Sequence, residues 1–129
     1  MTGDVVGGSL ALSLHRALAR VTARIEAATA PEGVLLPQWL VLACLAESGD
    51  LAMGELVEGT GLNDSTLTRV VDRLATSGLV YRAVDPADRR RVRVSLGDRG
   101  RALHARLAPA VRTAEDAERE PADGVTSRL

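Results

Sequence analysis

The chain has 129 residues, 46% of them apolar, enough for one packed domain and too much for a wholly disordered polymer. With no Phe, one Trp (Trp39) and one Tyr (Tyr81), its core must be built from Leu, Val and Ala, which favours packed helices over a sandwich or barrel. The net charge of −1 hides a segregation: residues 1–68 hold three Arg against eight acids, residues 69–106 ten against four, and residues 107–129 three against five.

Met1 to Gly8 reads as a loose tail. Ser9 can cap a helix whose apolar positions Leu10, Leu14, Leu18, Val21 and Ile25 recur every three or four residues, beside a row of Arg16, Arg20 and Arg24. Ala30-Pro31-Glu32-Gly33 breaks it. Pro37 suits the first turn of a second helix through Trp39, Leu42, Ala43 and Leu45 to Ser48, stopped by Gly49 and apolar nearly all round, hence buried. A third, short helix spans Ala52 to Glu58, and Thr60-Gly61-Leu62 makes a tight turn.

Asn63 caps a fourth helix running to about Ser77, with Leu67, Val70, Val71 and Leu74 on one side and Ser65, Arg69, Asp72 and Thr76 on the other. Thr66, Thr68 and Arg73 flank the polar face, and Gly78 ends the helix. Leu79–Val84 and Val92–Leu96 alternate as two strands of a hairpin whose turn is Asp85 to Arg91. A last helix, Asp98 to Glu120, carries Leu103, Leu107, Ala110 and Val111; Pro109 should bend it and Pro121-Ala122-Asp123-Gly124 should end it. The fold class is mainly α with a small β-hairpin wing. One domain covers residues 1–129, with helices 9–30 and 98–120 outside a core unit at 35–97 and a disordered tail at 121–129.

Two short helices joined by a Gly-containing turn, then a hairpin, form the layout of a winged helix-turn-helix, and the basic middle of the chain offers a face to a polyanion. A major groove admits one helix, whose first turn presents backbone N–H groups to phosphate and short polar side chains to base edges. Ser65, Thr66 and Thr68 suit that position, and Arg69 and Arg73, one and two turns on, can reach guanine or phosphate. Arg89 and Arg90 at the hairpin tip can enter an adjacent minor groove. The bland alternatives are an exposed helix face on which Arg69 and Arg73 pair with Asp72, and a solvated turn. Arg91 can instead face the domain and pair with Asp85 or Asp88.

These segments resemble the multiple-antibiotic-resistance regulator (MarR) family over Leu10 to Glu120. The resemblance rests on Gln38-Trp39-Leu40-Val41-Leu42, Glu55-Leu56-Val57 with Thr60-Gly61-Leu62, Ser65 to Leu74 with Gly78-Leu79-Val80, the wing Asp85 to Arg91, and Val94-Ser95-Leu96 into Gly100. It implies a ligand-responsive repressor that binds double-stranded DNA at a pseudo-palindromic operator as a homodimer. Arg90 resembles the family's minor-groove arginine, Asp88 the acid that steadies the wing, and the helix from Asp64 the recognition helix. Trp39 is core, or part of the wall between DNA-binding and dimerisation regions where family effectors sit. Members usually end in two long helices that build the dimer with the first; here Pro121 to Leu129 leaves no room for the last, and Gly97 replaces the usual Thr before the final helix, so that Gly97 or Asp98 must cap it.

No enzyme is expected, because no nucleophile–His–acid pattern and no phosphate loop after a strand are legible. No cofactor and no metal site are expected: His15 and His104 stand singly and read as surface residues. Cys44 invites comparison with redox sensors, but in so apolar a helix a thiol is more often inert core. A lone cysteine, no membrane-length apolar run and no signal-peptide order at the N-terminus point to a cytoplasmic protein. The other function class is a winged-helix protein-interaction module without DNA binding.

Overall fold

The computed structural model describes the backbone of residues 8–128 and the side-chain surroundings of residues 8–119. Most of the expected N-terminal tail, residues 1–7, lies outside the described residues. Helix α1 (Leu10–Thr29) begins where Ser9 Oγ accepts from the Leu12 N–H at 3.1 Å. It passes into a 3-10 turn (Ala30–Glu32), and Gly33 at φ 79° completes the break. Helix α2 (Leu36–Ser48) starts without a hydroxyl cap. Two long side chains satisfy its first donors: Gln38 Oε1 accepts from the Leu35 N–H and Glu26 Oε2 from the Leu36 N–H, each at 2.7 Å. The second bond also fastens α2 to α1.

Strand β1 (Leu51–Ala52) leads into α3 (Met53–Thr60), where Glu55 Oε1 accepts from the Ala52 N–H at 2.8 Å. Gly61 at φ 75° turns the chain toward α4 (Asp64–Thr76), followed by β2 (Val80–Val84), β3 (Val92–Leu96) and α5 (Asp98–Arg128). The wing is a three-stranded antiparallel sheet in the order β1–β3–β2, with Val80 opposite Leu96, Val84 opposite Val92 and Leu51 opposite Val94. Two residues are too few to show alternation in sequence, so β1 is visible only through its pairing. The core is aliphatic, as the composition requires: Val41, Leu42, Leu56, Leu67, Val71 and Val94 are fully buried.

In the α1 row Ile25 is 3% exposed, while Leu10, Leu14 and Leu18 are 73%, 60% and 55% exposed. The structure corrects the expected elements at three points. Ala110 is exposed on α5, while Ala114, one turn on, joins Leu103, Leu107 and Val111 in the core. The expected tail at 121–129 is helical as far as Arg128, since a proline forfeits its own bond to the residue four before it without breaking those on either side. His104 lies half buried against Trp39, with ring centroids 4.9 Å apart and planes 6° from parallel. The indole shields it, and desolvation lowers its pKa against a smaller opposing pull from Glu47.

Helices α1 and α5 run antiparallel, clasped by ion pairs at two levels. Glu118 accepts from Arg20 Nε at 2.7 Å and Arg24 Nε at 2.8 Å, while Arg106 grips both oxygens of Glu32 at 2.7 and 3.0 Å. These hydrogen bonds, from Arg20 and then Arg24 on Glu118 and from Arg106 on Glu32, hold both carboxyls below their ordinary value of 4.5. A lowered carboxylate contributes stability that is present above that value and lost as pH falls through the lowered one. The double variant E32Q/E118Q should therefore lose less urea stability than the wild type between about pH 5 and pH 3. Gly100 supplies a second test. A Cβ there would collide with the Leu79 carbonyl oxygen, which belongs to rigid backbone. Gly100→Ala should destabilise by roughly 1–3 kcal/mol despite the helix preference of alanine, read as a lower urea midpoint at unchanged slope.

Candidate nucleic-acid interface

The first turn of α4 is organised by one side chain. Asn63 Oδ1 accepts from the Thr66 N–H at 2.9 Å and from Ser65 Oγ at 3.1 Å, satisfying a free helix donor and fixing the Ser65 hydroxyl. Ser65 is exposed and keeps its lone pairs for an incoming donor. Thr68 is exposed too, with its hydroxyl donating to the Asp64 carbonyl at 2.9 Å. Thr66 is half buried and faces a groove formed with Leu35, Pro37 and Val70, so it is less outward than Ser65.

Arg69 and Arg73 are exposed one turn apart on the same face. Asp72 does not neutralise them. It pairs with Arg82 of β2, tying the helix to the wing strand. Among the described residues the guanidinium groups of Arg69 and Arg73 have no acid partner, so their charge is displayed outward.

The wing turn is closed by its own aspartates. The Asp85 N–H donates to the Arg91 carbonyl at 2.9 Å, and Asp85 Oδ1 accepts from the Ala87 N–H at 2.8 Å. Asp88 Oδ1 accepts from the Arg90 N–H at 3.0 Å and lies 3.4 Å from Arg90 Nε. Acids here serve as backbone acceptors, the usual use of Asp in a turn. The Arg90 side chain is nevertheless 93% exposed, and Arg89 is exposed without an acid partner among the described residues.

Arg91 turns back to the domain, as one alternative had it, but its partner is Glu55 of α3 at 3.8 Å rather than Asp85 or Asp88. Asp85 instead faces Arg93 of β3 at 3.9 Å, and Arg93 also donates to the Asp50 carbonyl at 2.9 Å. Arg82, Arg93 and Glu55 are thus supports of the interface that the sequence did not single out. The signal for Arg82 and Arg93 was a single charge in each apolar strand, which says that a residue faces outward and not what it meets.

Trp39 is 6% exposed and stacks on His104 inside the domain. Cys44 is half buried, its thiol pKa raised chiefly by desolvation and then by Glu47, and a Cβ on Gly59 would stand 2.6 Å from its sulfur. A raised pKa and a crowded sulfur disfavour the reactive thiolate. Among the described residues no group of three His, Cys, Asp or Glu could hold a metal ion, and no single helix is long and apolar enough to cross a membrane.

A capped helix joined to a braced, arginine-tipped wing is matched by known proteins. The MarR family profile covers residues 35–92, which is α2 through the start of β3. Over 102 residues the chain is 30% identical to an HTH-type transcriptional repressor of Mycobacterium tuberculosis, spanning 79% of this chain and 73% of that one. This chain belongs to the MarR family. Among solved MarR-like structures it resembles BpsR of Bordetella bronchiseptica, whose DNA binding is regulated by 6-hydroxynicotinic acid (30% identity, TM-score 0.75, covering 81% of this chain and 80% of that one). It also resembles the repressor CouR bound to a 23-mer DNA duplex (27% identity, TM-score 0.79, covering 100% and 94%). Four other curated regulators are longer, and the chain spans 36% to 63% of their length.

Proposed function

We propose that the chain is a cytoplasmic, DNA-binding transcriptional repressor that sits on a pseudo-palindromic operator as a homodimer and is released by a small-molecule effector. The observation that carries this is the set of outward arginines on α4 and the wing tip, beside other arginines that are tied down by acids. Arg69, Arg73 and Arg89 have no acid partner among the described residues, and the Arg90 side chain is 93% exposed although Asp88 lies 3.4 Å from its Nε. Four displayed positive charges on two linked elements suit a phosphate backbone. The DNA-bound state of CouR and the ligand control of BpsR support the partner and the release in this relative. No observation favours the protein-interaction alternative.

In this assignment Ser65, Thr66, Thr68 and Arg69 meet base edges from the first two turns of α4, Arg73 and Arg89 grip phosphate, and Arg90 enters the minor groove. Asp88 holds the Arg90 backbone in place. The exposed row of Leu10, Leu14 and Leu18 supports the dimer, because an apolar stripe of this kind at a helix end is stabilised by a second copy. Half-sites then lie about 10 bp apart, one helical turn.

Fluorescence anisotropy against operator and scrambled duplexes across a salt series tests the assignment. Arg90→Ala should weaken both duplexes alike and reduce the salt slope by about one unit; an unchanged affinity and slope removes Arg90 from the interface. Arg69→Ala should lose about 1–3 kcal/mol on the operator alone, whereas equal loss on both duplexes makes it a phosphate contact. Light scattering should give twice the chain mass for the wild type and the single mass for L14E/L18E. A wild-type monomer at micromolar concentration would rule the dimer out.

A further inference from the structure

Helix α4 carries two acids, and only one of them sits where a helix favours it. Asp64 stands in the first turn, near free backbone N–H groups. Asp72 stands just before the last turn, where the helix dipole works against a carboxylate. Its side chain is 52% exposed on the outward face, three residues after Arg69. A negative charge there also opposes an approaching phosphate.

Arg82 offsets both effects. It belongs to β2, an edge strand of the sheet, and its guanidinium pairs with the Asp72 carboxylate. Among the described residues Asp72 is the only acid that Arg82 meets, and Arg82 the only cation that Asp72 meets. The two charges cancel locally. The outward charge left on this part of α4 is that of Arg69 and Arg73.

Without Arg82 the carboxylate has a second cation close by. Residues three apart on a helix are neighbours, about 5–6 Å between Cβ atoms, whereas adjacent residues do not face each other. A released Asp72 therefore turns to Arg69 rather than to Arg73. Arg69 has no acid partner among the described residues, so no existing bond resists the exchange. A guanidinium engaged by a carboxylate has fewer donors left for the edge of a guanine.

We propose that Arg82 is a positioning residue for DNA reading: it holds the Asp72 carboxylate on the wing strand and so leaves Arg69 free for a base. Neither Arg82 nor Asp72 touches the duplex. This role rests on the DNA-binding reading above. It differs from that of a plain strut between helix and wing, where removing either partner breaks the same bond with the same result. Here the partners act with opposite sign, because losing Arg82 releases the carboxylate and losing Asp72 removes it.

Fluorescence anisotropy with operator and scrambled duplexes across a salt series compares Arg82→Gln, Asp72→Asn and the double variant D72N/R82Q. Arg82→Gln should lose roughly threefold or more on the operator and less on the scrambled duplex. Asp72→Asn should bind at least as tightly as the wild type, and D72N/R82Q should recover the affinity and discrimination that Arg82→Gln lost. In an Arg69→Ala background, Arg82→Gln should leave the ratio of the two affinities unchanged, since the side chain it protects is gone. An Asp72→Asn chain as weak on the operator as Arg82→Gln makes the pair a strut and overturns the proposal. So does a double variant that stays weak with a salt slope lower by about one unit, which makes Arg82 itself a phosphate contact. An Arg82→Gln chain that binds like the wild type overturns it too. These three outcomes leave the DNA-binding reading standing, whereas a wild-type chain that binds no duplex removes both.

Discussion

Helix α2 gives almost no face to solvent, and that constraint organises the molecule. It packs against α1, α3, α4, α5 and β3, so each of these elements takes its position from one aliphatic rod. Without Phe, and with a single Trp, the rod cannot anchor its neighbours through large rings. It does so through interlocked Leu and Val, where every methylene counts. The start of α2 carries no hydroxyl cap, and the two acceptors that replace one come from Gln38 within it and Glu26 on α1. Burial of the rod and the angle of α1 are thereby fixed together.

Charge is distributed by the same logic. Arginines at the seams between elements meet acids: Arg20 and Arg24 with Glu118, Arg106 with Glu32, Arg82 with Asp72, Arg93 with Asp85. Each of these surface pairs is weak by itself. Their effect is to occupy nearby acids, so that among the described residues none pairs with Arg69 or Arg73 on the outer face of α4 or with Arg89 at the wing tip. Asp72 decides the matter, since its commitment to Arg82 leaves its neighbours on the helix, Arg69 and Arg73, without a counter-ion.

Most of the helix limits were legible because they are set within a few residues. Ser9 and Asn63 cap the helices they were expected to cap, and Gly33, Gly49, Gly61 and Gly78 end segments at positive φ. The residues of the wing turn were legible for the same reason, since Asp85 and Asp88 bond to backbone groups two residues away. Less was legible in α5, where Pro121 was expected to end a helix that continues to Arg128. Proline penalises a helix locally, while the chain on both sides still propagates it.

The sequence by itself determined the order of the longer elements, the aliphatic core and the MarR resemblance, because these follow from spacing and nearest neighbours. Only the tertiary structure decided which arginines lack an acid partner among the described residues and that Leu10, Leu14 and Leu18 stay exposed. It also paired His104 with Trp39 and found β1 its partner strand. The partners in these interactions stand as far as 98 residues apart, and no local pattern records a contact across that distance. A charged residue announces that it will face outward, but what it meets there depends on which distant element the core has brought alongside.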